Sequence, residues 1–154
     1  MERTLILLKP DAVQRALVGA FIARFEAKGL RIVGLKFLRM SRELAQEHYR
    51  QHQGKDFYEP LLDFITAGPI VALALEGNQA VAVTRMMMGK TFGPEAEPGT
   101  LRGDYGLSKR YNLIHGSDSP QVAQEEIARF FRPEELMSYD RPVDAWVYAG
   151  EEIK

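Results

Sequence analysis

Thr4-Leu5-Ile6-Leu7-Leu8, closed by Lys9-Pro10-Asp11, is a continuous apolar run of strand length ended by a turn signal. Such a run predicts a strand buried on both faces. Downstream, Val18, Phe21, Ile22 and Phe25 fall at helical spacing, and Gly29 follows where a left-handed C-cap is wanted. From Leu30 to Leu38 the chain turns to Leu, Ile, Val and Phe and re-enters the sheet. Ser41 caps a helix predicted to run to about His52, and Phe57, Leu61, Phe64 and Ile65 form a second short helix ended by Gly68-Pro69. Ile70 to Leu75 is another buried strand, and Gly77-Asn78 opens a helix whose Val81, Arg85 and Met88 share a face before Gly89 ends it. Asn112 to His115 is a short strand, and Ser119-Pro120 starts a helix running to Phe131. With the helical hairpin set aside, the order is strand, helix, strand, strand, helix, strand, then a closing helix. That order predicts an α+β, ferredoxin-like split βαβ fold with a four-stranded antiparallel sheet and helices packed on it.

The 154 residues, 45% of them hydrophobic, are enough for one core, so the expectation is a single domain over 1–154. Twenty lysines and arginines balance 21 aspartates and glutamates. No overall field then favours nucleic acid or an anionic membrane, and an anionic ligand must be held by locally placed cations. The absence of cysteine removes disulfides and thiolate chemistry. The first apolar run is too short for a signal-peptide core or a membrane span, which predicts a soluble, cytoplasmic protein. The stretch from Gly89 to Tyr111 is rich in Gly and Pro, lacks a clear period and reads as a functional loop.

The densest polar constellation is Asn112-Leu113-Ile114-His115-Gly116-Ser117-Asp118-Ser119, between a strand end and a helix start. A neutral imidazole, with a reference pKa of about 6.5, has a free lone pair for nucleophilic attack. From these residues alone, His115 also reads as a satisfied core histidine. Glu126 lies one helical turn after Val122 and one before Phe130, a carboxylate in an apolar column. A buried carboxylate needs a partner. By accepting an N–H from His115 it would fix the tautomer and leave the other nitrogen free; a solvent-facing Glu126 is the alternative. Lys9, Arg85 and Arg102 stand in separate elements and form an anion site only if they converge.

Four other readings are set aside. Gly89-Lys90-Thr91 imitates a P-loop end, but Thr84 stands where that motif needs glycine and a helix precedes it. A triad of His115, Ser117 and Asp118 crowds three residues into four positions without a nucleophile elbow. His48 and His52, one turn apart without a third ligand, read as a solvated helix face. Met86-Met87-Met88 reads as core filling and interface rather than as a cofactor contact.

The motif Asn112-x-x-His115-Gly116-Ser117-Asp118-Ser119 resembles the active-site signature of the nucleoside diphosphate kinase family. Further matches are Lys9-Pro10-Asp11, Arg24-Phe25-Glu26, Val33-Gly34-Leu35-Lys36, Gly68-Pro69 and Pro98-Gly99-Thr100-x-Arg102-Gly103-Asp104, so the resemblance runs from Glu2 to about Tyr139. It implies a ping-pong transfer of the γ-phosphate of a nucleoside triphosphate to a nucleoside diphosphate through a phosphohistidine at His115. In that scheme Glu126 orients the imidazole, Ser117 hydrogen-bonds near it, and Tyr49 and Lys9 assist at the phosphate, Lys9 also near the ribose. Arg85, Thr91 and Arg102 bind the β- and γ-phosphates, Asn112 the sugar hydroxyl, and Phe57 stacks on the base with broad base tolerance. Mg2+ arrives on the nucleotide, with no direct protein ligand and Asp118 reaching it at most through water. The resemblance also implies a homo-oligomer; the segment Arg132-Pro133-Glu134-Glu135-Leu136 favours a hexamer over a tetramer. It implies neither an obligatory nucleic acid nor a membrane partner.

Two departures stand out. Phe92-Gly93-Pro94 follows Thr91 where the family usually has Asn-Pro, and Lys109 stands opposite Phe57 where it often has an apolar residue. The tail from Ala149 to Lys154 extends past the usual end and is assigned no function. The rival readings are a ferredoxin-like RNA-binding module, which requires aromatic stripes on the central strands, and a catalytically inactive regulatory relative.

Overall fold

The computed structural model describes residues 1–153; Lys154 of the unassigned tail lies outside the described residues. Four strands, β1 (Glu2–Leu8), β2 (Arg31–Leu38), β3 (Ile70–Gly77) and β4 (Ile114–Gly116), form one sheet in the order β2-β3-β1-β4. Every neighbouring pair is antiparallel. This is the α+β, ferredoxin-like arrangement that the sequence predicts.

The apolar run at the N-terminus is central because both of its faces are covered. Leu5 and Leu7 point into a cluster with Leu62, Ile65 and Phe130, on the side of α4 (Tyr58–Thr66) and α7 (Pro120–Phe130). Ile6 and Leu8 point into a second cluster with Phe21, Phe25 and Leu73, under α2 (Val18–Lys28) and α5 (Ala80–Met88). The alternation follows from the two-residue period of a strand. The central strands thus carry no exposed aromatic stripe of the kind an RNA-reading sheet needs. Gly29 ends α2 with φ of 102°, the left-handed conformation its position demands.

The structure adds elements to the sequence reading. A short helix, α1 (Pro10–Gln14), follows the first strand directly. The hairpin helix after Ser41 is α3 (Arg42–His48), shorter than predicted and followed by a single 3₁₀ turn at Arg50–His52. The sheet continues through Gly77, so α5 starts at Ala80. The stretch from Gly89 to Tyr111 has structure of its own: a 3₁₀ turn at Gly93–Glu95 and a helix, α6 (Leu101–Tyr105), capped by the Thr100 hydroxyl accepting from the Gly103 N–H. A last short helix, α8 (Asp144–Val147), carries the almost fully exposed Trp146.

Candidate active site

His115 sits on β4, paired with Leu7 of the central strand. The backbone just before it is strained: Leu113 adopts φ of 72°, a conformation costing of order 1–3 kcal/mol for a non-glycine residue. Two residues of the Lys9-Pro10-Asp11 turn hold that bend. The Asp11 carboxylate accepts from the Leu113 N–H (3.1 Å), and Lys9 Nζ donates to Asn112 Oδ1 (2.7 Å). The Lys9 backbone N–H also donates to the Leu113 carbonyl (2.9 Å). Burial raises the Asp11 carboxyl above its ordinary range, against the opposing charge of Lys9. Asp11 was visible in the sequence only as part of a turn; its clamp depends on where the backbone of residue 113 arrives.

Behind His115 lies Glu126, 5% exposed on α7. Its Oε2 is 2.9 Å from His115 Nε2, and its Oε1 accepts from Ser117 Oγ at 2.6 Å. Ser117 in turn accepts from the Leu5 N–H (3.2 Å), tying the pair to the central strand. Burial alone would raise the Glu126 carboxyl, but the hydrogen bonds and charge of His115 and Ser117 outweigh it and hold the group below its ordinary range. An ionised carboxylate only accepts, so the bonded imidazole nitrogen carries the proton, and in the neutral ring Nδ1 keeps its lone pair. Ser117 bonds to Glu126, not to the ring.

In front of His115 opens a cleft of about 1100 Å³, room for a nucleotide-sized ligand. It brings together Lys9, Tyr49, Phe57, Arg85, Thr91, Arg102, Asn112, His115 and Asp118 from seven separate stretches of chain. Ser117 and Glu126 stand outside its lining, behind the imidazole. Arg102 is buried and donates to the backbone carbonyls of Gly89, Asn112 and Ile114. Burial, and then the nearby charge of Arg85, lower its pKa to about 10. Lys9 is brought down to about 8 by burial and then by Arg102. Arg102 disfavours the charge of Lys9 and Arg85 disfavours that of Arg102, so the site gains from an anion. Arg85 meanwhile pairs with Asp118 at 2.8 Å. Tyr49 Oη is buried with no hydrogen-bond partner among the described residues, and burial pushes its pKa upward. Asn112 Nδ2 donates to the Thr91 carbonyl, which fixes Thr91 at the cleft despite the altered residues after it.

One expectation is overturned. His48 is not on a solvated helix face: it is 2% exposed. It shares a helical stripe with Ala45 and Tyr49, the spacing that could have signalled burial. His52 remains at the cleft edge. Donor atoms of His48, His115 and Glu126 lie within 4.8 Å of one another, but His48 Nδ1 is 3.0 Å from the guanidinium of Arg129. That set is organised by protons and a positive charge, an unfavourable place for a cation. Of the methionine run, Met88 is buried and Met86 exposed.

The family model for nucleoside diphosphate kinase matches residues 2–136. A nucleoside diphosphate kinase of Thermomicrobium roseum is 56% identical over 147 residues, covering 96% of this chain and 99% of the relative. One of Carboxydothermus hydrogenoformans is 55% identical over 148 residues, with the same coverage. Among solved structures, the Halobacterium salinarum nucleoside diphosphate kinase in complex with CDP superposes with a TM-score of 0.94 at 48% identity, covering 96% of this chain and 98% of that one. A family protein from Babesia bovis gives 0.93 at 41%, covering 96% of this chain and all of its own. A sheet, a buried acid–imidazole pair and a cationic cleft therefore meet a sequence likeness that spans nearly the whole chain, and the protein belongs to the nucleoside diphosphate kinase family.

Proposed function

We propose that this chain transfers the γ-phosphate of a nucleoside triphosphate to a nucleoside diphosphate in two steps through His115. The observation that carries the reading is the 2.9 Å contact between His115 Nε2 and Glu126, which leaves Nδ1 as the nucleophile beside a cationic cleft. In the first step Nδ1 forms a bond to the γ-phosphorus while the bond from that phosphorus to the β–γ bridging oxygen breaks, releasing the diphosphate. The second step is the reverse: a terminal oxygen of the incoming diphosphate bonds to phosphorus, the N–P bond breaks and the imidazole is regenerated. No proton needs to leave Nε2, because Glu126 holds it throughout.

Positioning and charge stabilisation carry most of the catalysis of phosphoryl transfer. Arg85, Arg102 and Thr91 would take the β- and γ-phosphates, and Lys9 and the unpartnered Tyr49 hydroxyl would donate to the moving group. Asn112 and Lys9 would meet the sugar, and Phe57, 44% exposed at the mouth, would stack on the base. Stacking tolerates every base, since each has a π-face. The hard cation Mg2+ is part of the substrate and neutralises charge on its phosphates. The exposed Asp118 carboxylate suits an outer contact to it through water.

The proposal extends to a single-domain homo-oligomer in the cytoplasm, a hexamer in preference to a tetramer. The family relationship supports it, together with the exposed Leu35 and Phe37 on the edge strand β2. Among the described residues no helix is long and apolar enough to cross a membrane.

The test is to incubate the protein with γ-labelled ATP and magnesium and to look for acid-labile, base-stable label. We expect label on the chain, its discharge by GDP, and its loss in His115→Ala. Label on serine, or turnover surviving that substitution, would refute the mechanism.

A further inference from the structure

We infer that Lys109 selects among nucleobases, favouring those with a carbonyl oxygen on the outer edge (guanine, uracil, thymine) over those with an amino group there (adenine, cytosine). The inference rests on the reading of the cleft as a nucleoside diphosphate site and deepens it at the base end.

Phe57 at the entry to α4, Phe92 and Lys109 all line the same cleft. Phe57 supplies an aromatic face, and the Gly89–Tyr111 stretch supplies Phe92 and Lys109 to the same lining. There Lys109 Nζ stands 5.8 Å from the centre of the Phe92 ring, a cation–π contact with a 41% exposed aromatic. The two meet because the backbones of Gly93 and Gly106 touch. A Cβ on Gly93 would lie 2.5 Å from the Gly106 carbonyl oxygen, so no other residue fits without opening that contact. Phe92 and Lys109 are thereby brought close from two branches of one loop.

Nothing in the described chain neutralises this ammonium. Lys109 is exposed and has no carboxylate within ion-pair distance among the described residues. A second ammonium, that of Lys55, lies over the Phe57 ring at 5.6 Å. The Asp63 carboxylate, which also lines the cleft, is already bonded to Arg42 at 2.7 Å. Two of the aromatic rings lining the cleft, Phe57 and Phe92, thus each have an ammonium over them.

An ammonium offers donors and no acceptor. Guanine O6 and thymine or uracil O4 accept from it, whereas adenine N6 and cytosine N4 are themselves donors; N7 accepts in both purines and does not discriminate. The lysine stem covers the base as an apolar residue would, and the charged tip adds discrimination at the edge. The size of the effect is that of an exposed charged contact, about three- to fivefold in rate constant.

The test uses the isolated phosphoenzyme and measures its single-turnover discharge by GDP, IDP, ADP, UDP and CDP. Inosine carries O6 without the 2-amino group, so IDP separates carbonyl reading from amino reading. We expect GDP and IDP to exceed ADP, and UDP to exceed CDP, in the wild type. In Lys109→Met the IDP/ADP and UDP/CDP ratios should fall to about one, while Lys109→Arg, which keeps the charge, retains them. Ratios unchanged in Lys109→Met, or IDP as slow as ADP in the wild type, would overturn the selection and leave the phosphotransfer reading standing. A wild-type protein that forms no phosphoenzyme would overturn both.

Discussion

His48 stands edge-on to His115, with ring centroids 4.7 Å apart and planes at 79°. Arg129 Nη1 donates to its Nδ1 at 3.0 Å, so that nitrogen carries no proton. Burial, reinforced by His115, lowers its pKa to about 3. In the unfolded chain a histidine takes up a proton near pH 6.5, so between about pH 3 and 6.5 the unfolded state binds more protons. Stability contributed by neutral His48 is full above pH 6.5 and is lost as pH falls through that window, by at most about 1.4 kcal/mol per pH unit. His48→Gln should flatten this part of the acid dependence of Tm relative to the wild type. Superimposable pH–Tm differences in the two proteins would remove the claim.

Glu126→Gln should slow phosphoryl transfer more than it weakens nucleotide binding. The amide keeps the shape but lacks the charge, and its donor side can meet Nε2 or the Ser117 hydroxyl. Loss of the fixed tautomer and orientation is expected to cost about a hundredfold in kcat. Pre-steady-state phosphorylation of His115, with nucleotide Kd measured alongside, checks this. An unchanged transfer rate would deny Glu126 its orienting role.

The parts of this molecule written in local pattern were legible in the sequence. Leu5 to Leu8 reads as a central strand because both sheet faces are covered, and Glu126 reads as the partner of His115 because it interrupts an apolar helix column. Ser119 and Gly29 mark helix ends through their own side chain or lack of one. What stayed hidden depends on distant backbone. Asp11 and Arg102 bind N–H and carbonyl groups whose positions no spacing reveals. His48 lies between Glu47 and Tyr49, and its burial arises only when β4 and α7 close over α3. Helix α6 was obscured because five residues with Gly103 among them leave no periodic trace.

Lys9 predicts opposite responses of activity and stability to alkali. Its folded-state pKa is about 8, lowered from 10.5 by burial and then by Arg102. Above pH 8 the ammonium proposed to meet the phosphate disappears, so kcat/KM, which reports the free enzyme, should fall with an apparent pKa near 8. Between pH 8 and 10.5 the unfolded state holds the proton more tightly. The contribution of Lys9 to stability therefore rises with pH across the same window. Lys9→Arg should lack the alkaline limb near pH 8. A profile unaltered by that change would assign the limb to another group.

Arg102 joins the Gly89–Tyr111 stretch to the strand carrying His115 through three backbone carbonyls. Arg102→Ala leaves those acceptors without their charged donor, and a loss of about 2–4 kcal/mol in urea unfolding is expected. The cleft would also lose the phosphate contact proposed for Arg102, so kcat/KM should drop by about a hundredfold. Faster proteolytic nicking within residues 89–111 would accompany both. An Arg102→Ala protein as stable as the wild type would make the carbonyl contacts incidental.

The Arg85–Asp118 pair, at 2.8 Å and largely exposed, occupies in the free protein a guanidinium that is proposed to take the phosphates. On the proposed function an incoming magnesium nucleotide would satisfy both partners at once: phosphate oxygens would accept from Arg85, and the water shell of the ion would donate to Asp118. A nucleotide without magnesium can take only the arginine and leaves Asp118 facing added negative charge. Asp118→Asn should therefore tighten binding of metal-free ADP by about two- to fivefold, the scale of an exposed ion pair. Binding of MgADP should change less or weaken, so the ratio of the two affinities narrows. Calorimetric titration of each form with and without magnesium measures that ratio. If Asp118→Asn shifts both affinities equally, the carboxylate is a plain surface charge and the exchange of partners does not occur.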